Sequence, residues 1–302
     1  MVGRLQHLSN RPPTITELLR DGSRPLFSFE LFPPRDDEGG RVLWDTVRRL
    51  EALRPDFVSV TYGASGSTRD RTVAVTRAIA EHTTLRTMAH LTCASQSVER
   101  LRQVVGSYAD AGIRHILTIR GDMPGGPLQP WVRHPGGLGN ATALVELVAS
   151  LGDFCIGVAA FPDLHPEQHD PDLDAAILVA KERAGAGFAI SQLFFTPSRY
   201  FDLVDRVRSR GSALPIIPGI MPVTRLSQIQ RYADVTGAAL PPWVQAGGHD
   251  AMIARLEDPA IRARVLAEMR DPDVEWENLR LLAGSDERLI LSTRDVEAIH
   301  DA

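Results

Sequence analysis

Short apolar runs alternate with amphipathic stretches along the chain from residue 25 onward. The stretches between the runs carry apolar residues three and four positions apart, as at Leu43, Val47 and Leu50, which is the period of an amphipathic helix. Strands and helices that alternate this regularly predict a parallel sheet. The predicted strands are the runs 26–32, 57–62, 87–91, 113–119, 154–161, 188–195 and 214–220.

Such a sheet can remain open and doubly wound, or it can close into a barrel. An open sheet usually carries a glycine-rich turn after its first strand, whereas the first run here ends in Phe32-Pro33-Pro34-Arg35. The pattern therefore favours an α/β fold of the (βα)8 TIM-barrel class. Residues 1–24 are predicted to form an N-terminal extension, in which 14–19 has the composition of a short helix.

Composition restricts the class of partner. The 302 residues carry a net charge of −5, with 43% hydrophobic and 24% charged residues, which indicates a globular chain and argues against nucleic acid as a partner. No run reaches the roughly 20 apolar residues that span a bilayer, and no secretory leader is visible, so we expect a cytoplasmic protein.

Cys93 and Cys155 lack the spacing of metal ligands and are predicted to be buried packing residues.

Among 33 basic residues, Lys181 is the one lysine and all others are arginine. A position that retains lysine in such a chain can require a compact ammonium group rather than a planar guanidinium. Lys181 follows Asp174 by seven residues, which places both on one face of a predicted helix. That face could hold an extended ligand, or it could be an ordinary solvated surface.

In a barrel, the functional site lies at the C-terminal ends of the strands. Glu30 interrupts the first apolar run, and alternation places it opposite Phe27 and Phe29. We expect an aromatic environment that favours the uncharged carboxyl group, as a general acid requires. The alternative is a structural ion pair between Glu30 and Arg120. Polar residues also end other predicted strands, at Thr61, His90, Arg120, Asp122, His165 and Gln192.

Two of these strand ends carry further information. Asp122 opens a long loop rich in glycine and proline, which is typical of a functional loop, although an anchoring pair with Arg120 would explain it equally. Gln192 is expected inside a strand, where its buried amide contacts either a ligand or another strand.

His165 and His169 are four residues apart but are followed by prolines, so no metal site is assigned.

Several ordered motifs occur along the chain: FSFELFPPR at 27–35, FVSVTYGA at 57–64, AHLTC at 89–93, RGD at 120–122, AAFP at 159–162, ISQLFF at 190–195 and IIPGIMPV at 216–223. Together these motifs resemble the methylenetetrahydrofolate reductase family, continuously from about residue 25 to residue 243. The resemblance implies a barrel that binds FAD and uses NADH or NADPH in a ping-pong reaction to convert 5,10-methylenetetrahydrofolate to 5-methyltetrahydrofolate. It also implies a role in one-carbon metabolism and methionine supply, and a possible homo-oligomer.

The resemblance also implies roles for single residues. Glu30 corresponds to the general acid, and Asp122 to the carboxylate that tunes the flavin and stabilises a cationic intermediate. Folate contacts carry over to Glu30, Gln192, Gln228 and Tyr232. Flavin contacts carry over to Thr61, His90, Arg120, Gly121, Asp122, Phe161, His165, Asp174 and Lys181.

This chain also departs from the family pattern. Phe161 stands where the family usually has tyrosine, and Tyr232 where it often has phenylalanine. Residues 244–302 form a divergent segment in which 288–293 is the candidate for an eighth strand. Two other functions therefore stay open: direct hydride transfer from NADH without flavin, and a folate- or flavin-binding barrel without turnover.

Overall fold

The computed structural model describes residues 11–34, 36–62, 66–124, 126, 129–165 and 170–220, with the backbone alone for 66–70. Strands and helices alternate through this part of the chain, as the apolar pattern predicts. The strands are β1 Ser28–Leu31, β2 Phe57–Val60, β3 Thr87–Thr92, β4 His115–Ile119, β5 Cys155–Ala160, β6 Phe188–Ser191 and β7 Ile216–Ile217. The helices are α1 Ile15–Asp21, α2 Asp37–Leu53, α3 Gly66–His82, α4 Val98–Asp110, α5 Ala141–Leu151, α6 Pro171–Arg183 and α7 Pro197–Ser209.

The seven strands form one sheet in the order β1-β2-β3-β4-β5-β6-β7, and the pairings from β1 to β5 are parallel. Strand order that follows chain order is typical of a (βα)8 barrel, whereas a doubly wound sheet reverses direction at a switch point. The predicted fold class is therefore confirmed. The candidate eighth strand at 288–293 lies outside the described residues.

The chain divides into two compact units, which are described separately. The first extends to Val158 and includes Ala180–Ala189. The second comprises Ala159–Val179 and the residues from Ile190 onward.

Strand register separates the two faces of the sheet in the first unit. Leu31 pairs with Val60, and both belong to an apolar cluster with Leu43 and Val47 of α2 and Ile79 of α3. Because side chains alternate along a strand, the other face carries the row that begins at Glu30. The register aligns that row across five strands as Glu30, Ser59, Met88, His115 and Cys155.

Helix α1 belongs to the first unit and packs against the starts of two of its strands. Thr14 caps it and forms a reciprocal capping box with Glu17, and Ile15 is fully buried. The Thr16 hydroxyl lies 3.2 Å from the sulfur of Cys155 at the start of β5. A Cβ atom at Gly187, just before β6, would collide with Oγ1 of Thr16. The helix predicted within the N-terminal extension is thus confirmed, and it packs against the N-terminal ends of two strands.

The cysteine prediction is also confirmed, since Cys93 and Cys155 are both free and buried. Burial raises the pKa of the Cys93 thiol to about 11, so this sulfur stays protonated at neutral pH. Of the described helices, none has the length and apolar character needed to cross a membrane.

Candidate active site

Glu30 and Thr61 meet at the C-terminal ends of β1 and β2. The Thr61 hydroxyl donates a hydrogen bond of 2.6 Å to Oε1 of Glu30, whose side chain is exposed. The expectation that Glu30 is held among aromatic side chains is wrong, because the Glu30 side chain is exposed, although Phe29 does lie on the opposite face of β1 as predicted. In the described part of the chain Glu30 makes its contact with Thr61 rather than the alternative ion pair with Arg120.

His90 lies on β3, next to this pair. Val60 pairs with Ala89, so the following residues, Thr61 and His90, are neighbours at the strand ends. The His90 side chain is 3% exposed, and neither ring nitrogen has a hydrogen-bond partner among the described residues. Burial lowers the pKa of His90, an effect that the nearby Glu30 carboxylate opposes, so the ring is neutral at pH 7.

The backbone of His90 is held from the helical layer. Its carbonyl oxygen accepts a hydrogen bond of 3.2 Å from the hydroxyl of Tyr108, a fully buried residue of α4. Burial raises the pKa of Tyr108 far above its usual value, so this hydroxyl remains a donor. The strand that carries the unpartnered imidazole is therefore fixed in position.

Arg120, Gly121 and Asp122 form a sharp turn after β4. Gly121 has φ +82°, and a Cβ atom there would lie 2.6 Å from Cβ of Thr92 on β3, so this position requires glycine. The Arg120 carbonyl accepts hydrogen bonds from the backbone N–H groups of Cys93 (3.2 Å) and Ala94 (2.9 Å). The turn is thereby fixed to the end of β3, and the Asp122 side chain is exposed beyond it.

Sequence reasoning missed two aromatic residues in this unit. The Arg120 guanidinium carbon lies 5.4 Å from the ring centroid of Trp131, in the loop between β4 and α5. Phe32 is 72% exposed directly after β1, two residues beyond Glu30. The signal for both was a large aromatic residue in a proline-containing segment that follows a strand.

Asp174 and Lys181 occupy helix α6 and are both buried, with 8% and 6% exposure. The solvated-surface interpretation of this helix face is therefore wrong. The Asp174 carboxylate accepts a hydrogen bond of 3.1 Å from the backbone N–H of His165. A buried lysine in a chain that otherwise uses arginine points to a specific requirement for its ammonium group.

In the second unit, Phe161 and His165 make an edge-to-face contact, with ring centroids 4.9 Å apart and planes at 73°. Phe161 and Asp174 line a small pocket of about 70 Å³ together with Leu164 and Leu203. Leu164 has φ +72°, a strained conformation for a leucine. Three residues that the resemblance assigns to the cofactor, Phe161, His165 and Asp174, are thus brought together.

The prediction that Gln192 is buried within a strand is wrong. Strand β6 ends at Ser191, and the Gln192 side chain is exposed. Its backbone N–H donates to the carbonyl of Ala160 over 2.7 Å, and its amide oxygen accepts from the backbone N–H of Leu193 over 3.1 Å. The side-chain NH2 group of Gln192 is therefore exposed just after the end of β6. Gln228 and Tyr232 lie outside the described residues.

Comparison with known proteins identifies the family of this chain. The model of the methylenetetrahydrofolate reductase family matches residues 14–265. The 5,10-methylenetetrahydrofolate reductase of Escherichia coli K12 is 40% identical over 238 residues, which cover 79% of this chain and 78% of that protein. The Salmonella typhimurium LT2 enzyme of the same name is 42% identical over 217 residues, 72% and 71% of the two chains.

Two more distant proteins are also similar to this chain, one in sequence and one in fold. A probable methylenetetrahydrofolate reductase (NADH) of Oryza sativa is 35% identical over 243 residues, 77% of this chain and 41% of that one. A solved Clostridium thermocellum protein, described as binding two copies of 5-methyl-5,6,7,8-tetrahydrofolic acid, superposes with a TM-score of 0.54 at 10% identity and shares the fold. Its alignment covers 82% of this chain and 85% of that chain. From the family match and the bacterial relatives together, the chain belongs to the methylenetetrahydrofolate reductase family.

Proposed function

We propose that this protein reduces 5,10-methylenetetrahydrofolate to 5-methyltetrahydrofolate with electrons from NADH or NADPH that pass through bound FAD in a ping-pong sequence. The observation that carries the proposal is the hydrogen bond from Thr61 to Glu30, beside the buried imidazole of His90, at strand ends of a chain in this family. The reaction would serve one-carbon metabolism and the supply of methionine.

The residues present fit a flavin. A neutral imidazole has one donor and one acceptor, and His90 offers both from a buried position without a partner among the described residues. Lys181 adds a buried ammonium group, which suits the diphosphate of FAD. Bound FAD would take two electrons and a proton from the reduced nicotinamide and supply them to the one-carbon unit of the folate.

Glu30 provides the acid in this proposal. In the substrate a methylene bridge joins N5 to N10, and the bond from the bridge carbon to N10 must break. N10 keeps the electron pair and takes a proton from Glu30, which leaves a cationic iminium at N5 and a carboxylate at Glu30. Because Thr61 donates to Oε1, Oε2 is the oxygen that delivers the proton.

Asp122 of the first unit and Gln192 of the second unit each have a proposed role toward the folate. The exposed carboxylate of Asp122 follows the fixed turn at Gly121 and would stabilise the positive charge that develops on the iminium. The exposed amide N–H group of Gln192 would donate to a polar edge of the pterin.

The test measures separately the reduction of the flavin by NADH and the reduction of the folate by the flavin. Glu30→Gln is expected to lower the rate of methylenetetrahydrofolate reduction by about 10²–10⁴-fold, the contribution of a positioned general acid, while NADH still reduces the flavin. The control is Glu38→Gln, since Glu38 is an exposed carboxylate on α2 that the proposal does not use. If Glu30→Gln reduces methylenetetrahydrofolate at the wild-type rate, Glu30 is not the general acid.

The absorption spectrum and the turnover of the purified protein distinguish the proposal from direct hydride transfer and from a binding protein without turnover. Under the proposal it shows the absorption band of oxidised flavin, and NADH bleaches that band. A colourless preparation that reduces methylenetetrahydrofolate without added FAD would establish direct hydride transfer. A preparation that binds flavin and folate but never turns over would establish a binding protein.

A further inference from the structure

Trp131 and Arg120 form a contact that the proposed mechanism does not use. The guanidinium carbon of Arg120 lies 5.4 Å from the centroid of the indole ring, within the range of a cation–π interaction. Arg120 directly follows β4, one residue before the turn at Gly121. The indole therefore limits the orientations of a guanidinium at the end of a strand.

The indole N–H is also unusual. Nε1 of Trp131 is buried and has no hydrogen-bond acceptor in the described part of the chain. Indole nitrogen is only a donor, and buried donors nearly always have an acceptor in the functional state. The guanidinium lies over the face of the ring and the N–H donor lies at its edge, and both groups match anionic oxygens.

The residues that follow Trp131 are held in place. The backbone N–H of Val98, at the start of α4, donates to the Gly136 carbonyl over 2.8 Å. Gly137 approaches the turn before α4 so closely that a Cβ atom there would collide with the carbonyl oxygen of Gln96. Arg133 closes the loop with a 3.0 Å hydrogen bond to the Gly137 carbonyl. Trp131 thus lies just before an anchored segment.

We propose that Trp131 is a flavin-binding residue of this chain, whose indole N–H donates to a phosphate oxygen of FAD while its ring positions Arg120 for the same anion. The inference rests on the flavin part of the proposed function. Folate carries anionic oxygens too, in its glutamate carboxylates, and the experiment separates the two ligands.

The experiment measures binding to the apoprotein rather than turnover. The Trp131→Phe variant keeps an aromatic ring under Arg120 and removes the N–H donor. Its dissociation constant for FAD should rise about ten- to a hundredfold, the loss expected for a hydrogen bond to a charged acceptor, while its affinity for riboflavin, which lacks phosphate, stays unchanged. Trp44→Phe is the matched control, since Trp44 packs against the apolar cluster around α2.

Tryptophan fluorescence gives a second measurement on the same proteins. FAD should quench the emission of the wild type and of Trp44→Phe by more than it quenches that of Trp131→Phe. Equal FAD affinity and equal quenching in wild type and Trp131→Phe would overturn the assignment. Weaker binding of 5-methyltetrahydrofolate with unchanged FAD binding would also overturn it, in favour of a folate contact. A wild-type protein that binds no FAD at all would overturn the flavin part of the proposed function itself.

Discussion

The hydroxyl of Thr61 donates a 2.6 Å hydrogen bond to Glu30 and joins the ends of two neighbouring strands. The backbone of Thr61 is held as well, because its N–H donates to the Leu31 carbonyl over 2.9 Å. Its own carbonyl accepts from the hydroxyl of Thr72, a buried residue of α3, over 3.3 Å. Thr61 therefore acts as a fixed donor that orients a carboxyl group which is itself exposed.

Removing this donor should impair folate reduction. We expect Thr61→Val to lower kcat about tenfold with little change in KM, since one hydrogen bond of this kind contributes about 1–1.5 kcal/mol and Glu30 would lose its orientation. Thr61→Ser, which keeps the hydroxyl, should recover most of the rate. Steady-state kinetics at saturating FAD measures both. An unimpaired Thr61→Val variant would show that Glu30 needs no orienting partner.

Lys181 should contribute to the affinity for FAD. Lys181→Met keeps an unbranched chain of similar length in the buried site but removes the charge, so FAD should bind at least about tenfold more weakly, with riboflavin unaffected. Arg183→Met is the control, since it removes a cation from the exposed side of the same helix. Titration of the apoproteins measures the change. Unaltered FAD affinity in Lys181→Met would mean that this lysine is retained without a function in flavin binding.

Local pattern predicted the parts of the site that lie on regular strands. Alternation along β1 placed Glu30 on the face opposite Phe29, and the end of the second apolar run placed Thr61 at the following strand end. The lone lysine was visible from composition alone. These features depend on the residue itself and on its immediate neighbours, so no long-range contact was needed to find them.

Long-range contacts decided the rest. The run 188–195 does not show where β6 ends, because the strand stops at Ser191 although the apolar run continues to Phe195. The position of Trp131 depends on an anchored loop, and that loop is fixed by the backbone around Gln96 and Val98, more than 30 residues earlier in the chain.

The docking of α1 predicts a steric effect at Gly187. An added methyl group would collide with the Thr16 side chain, so Gly187→Ala should lower the free energy of unfolding by about 1–3 kcal/mol. Gly106→Ala is the opposite control: Gly106 is an exposed residue of α4 with open space where a Cβ atom would lie, so alanine should stabilise the protein by about 0.5–1 kcal/mol. Urea unfolding measures both changes.

The Gly187 effect has a direct check in a double mutant. Thr16→Ala removes the atoms nearest to the new methyl group, so combining it with Gly187→Ala should recover part of the lost stability. If the two changes are simply additive, α1 does not pack against this glycine in solution.

The last prediction concerns pH and His115. Burial lowers the pKa of His115 to about 4, and the nearby arginines Arg86, Arg11 and Arg114 act in the same direction, while Glu17 opposes them. Nε2 of His115 has no hydrogen-bond partner within the described ranges. Because the ordinary value is 6.5, the unfolded chain binds this proton more readily than the folded one between about pH 6.5 and pH 4.

The contribution of His115 to stability is therefore complete above pH 6.5 and is lost as the pH falls toward 4. Buried His90 shifts in the same direction, so the comparison must remove one histidine at a time. His115→Gln keeps a neutral polar side chain that cannot take up a proton, and its urea midpoint should decline less steeply than that of the wild type across this window. Parallel declines in the two proteins would show that His115 titrates alike in the folded and unfolded states, and the folded protein would then accept a charge at the inner start of β4.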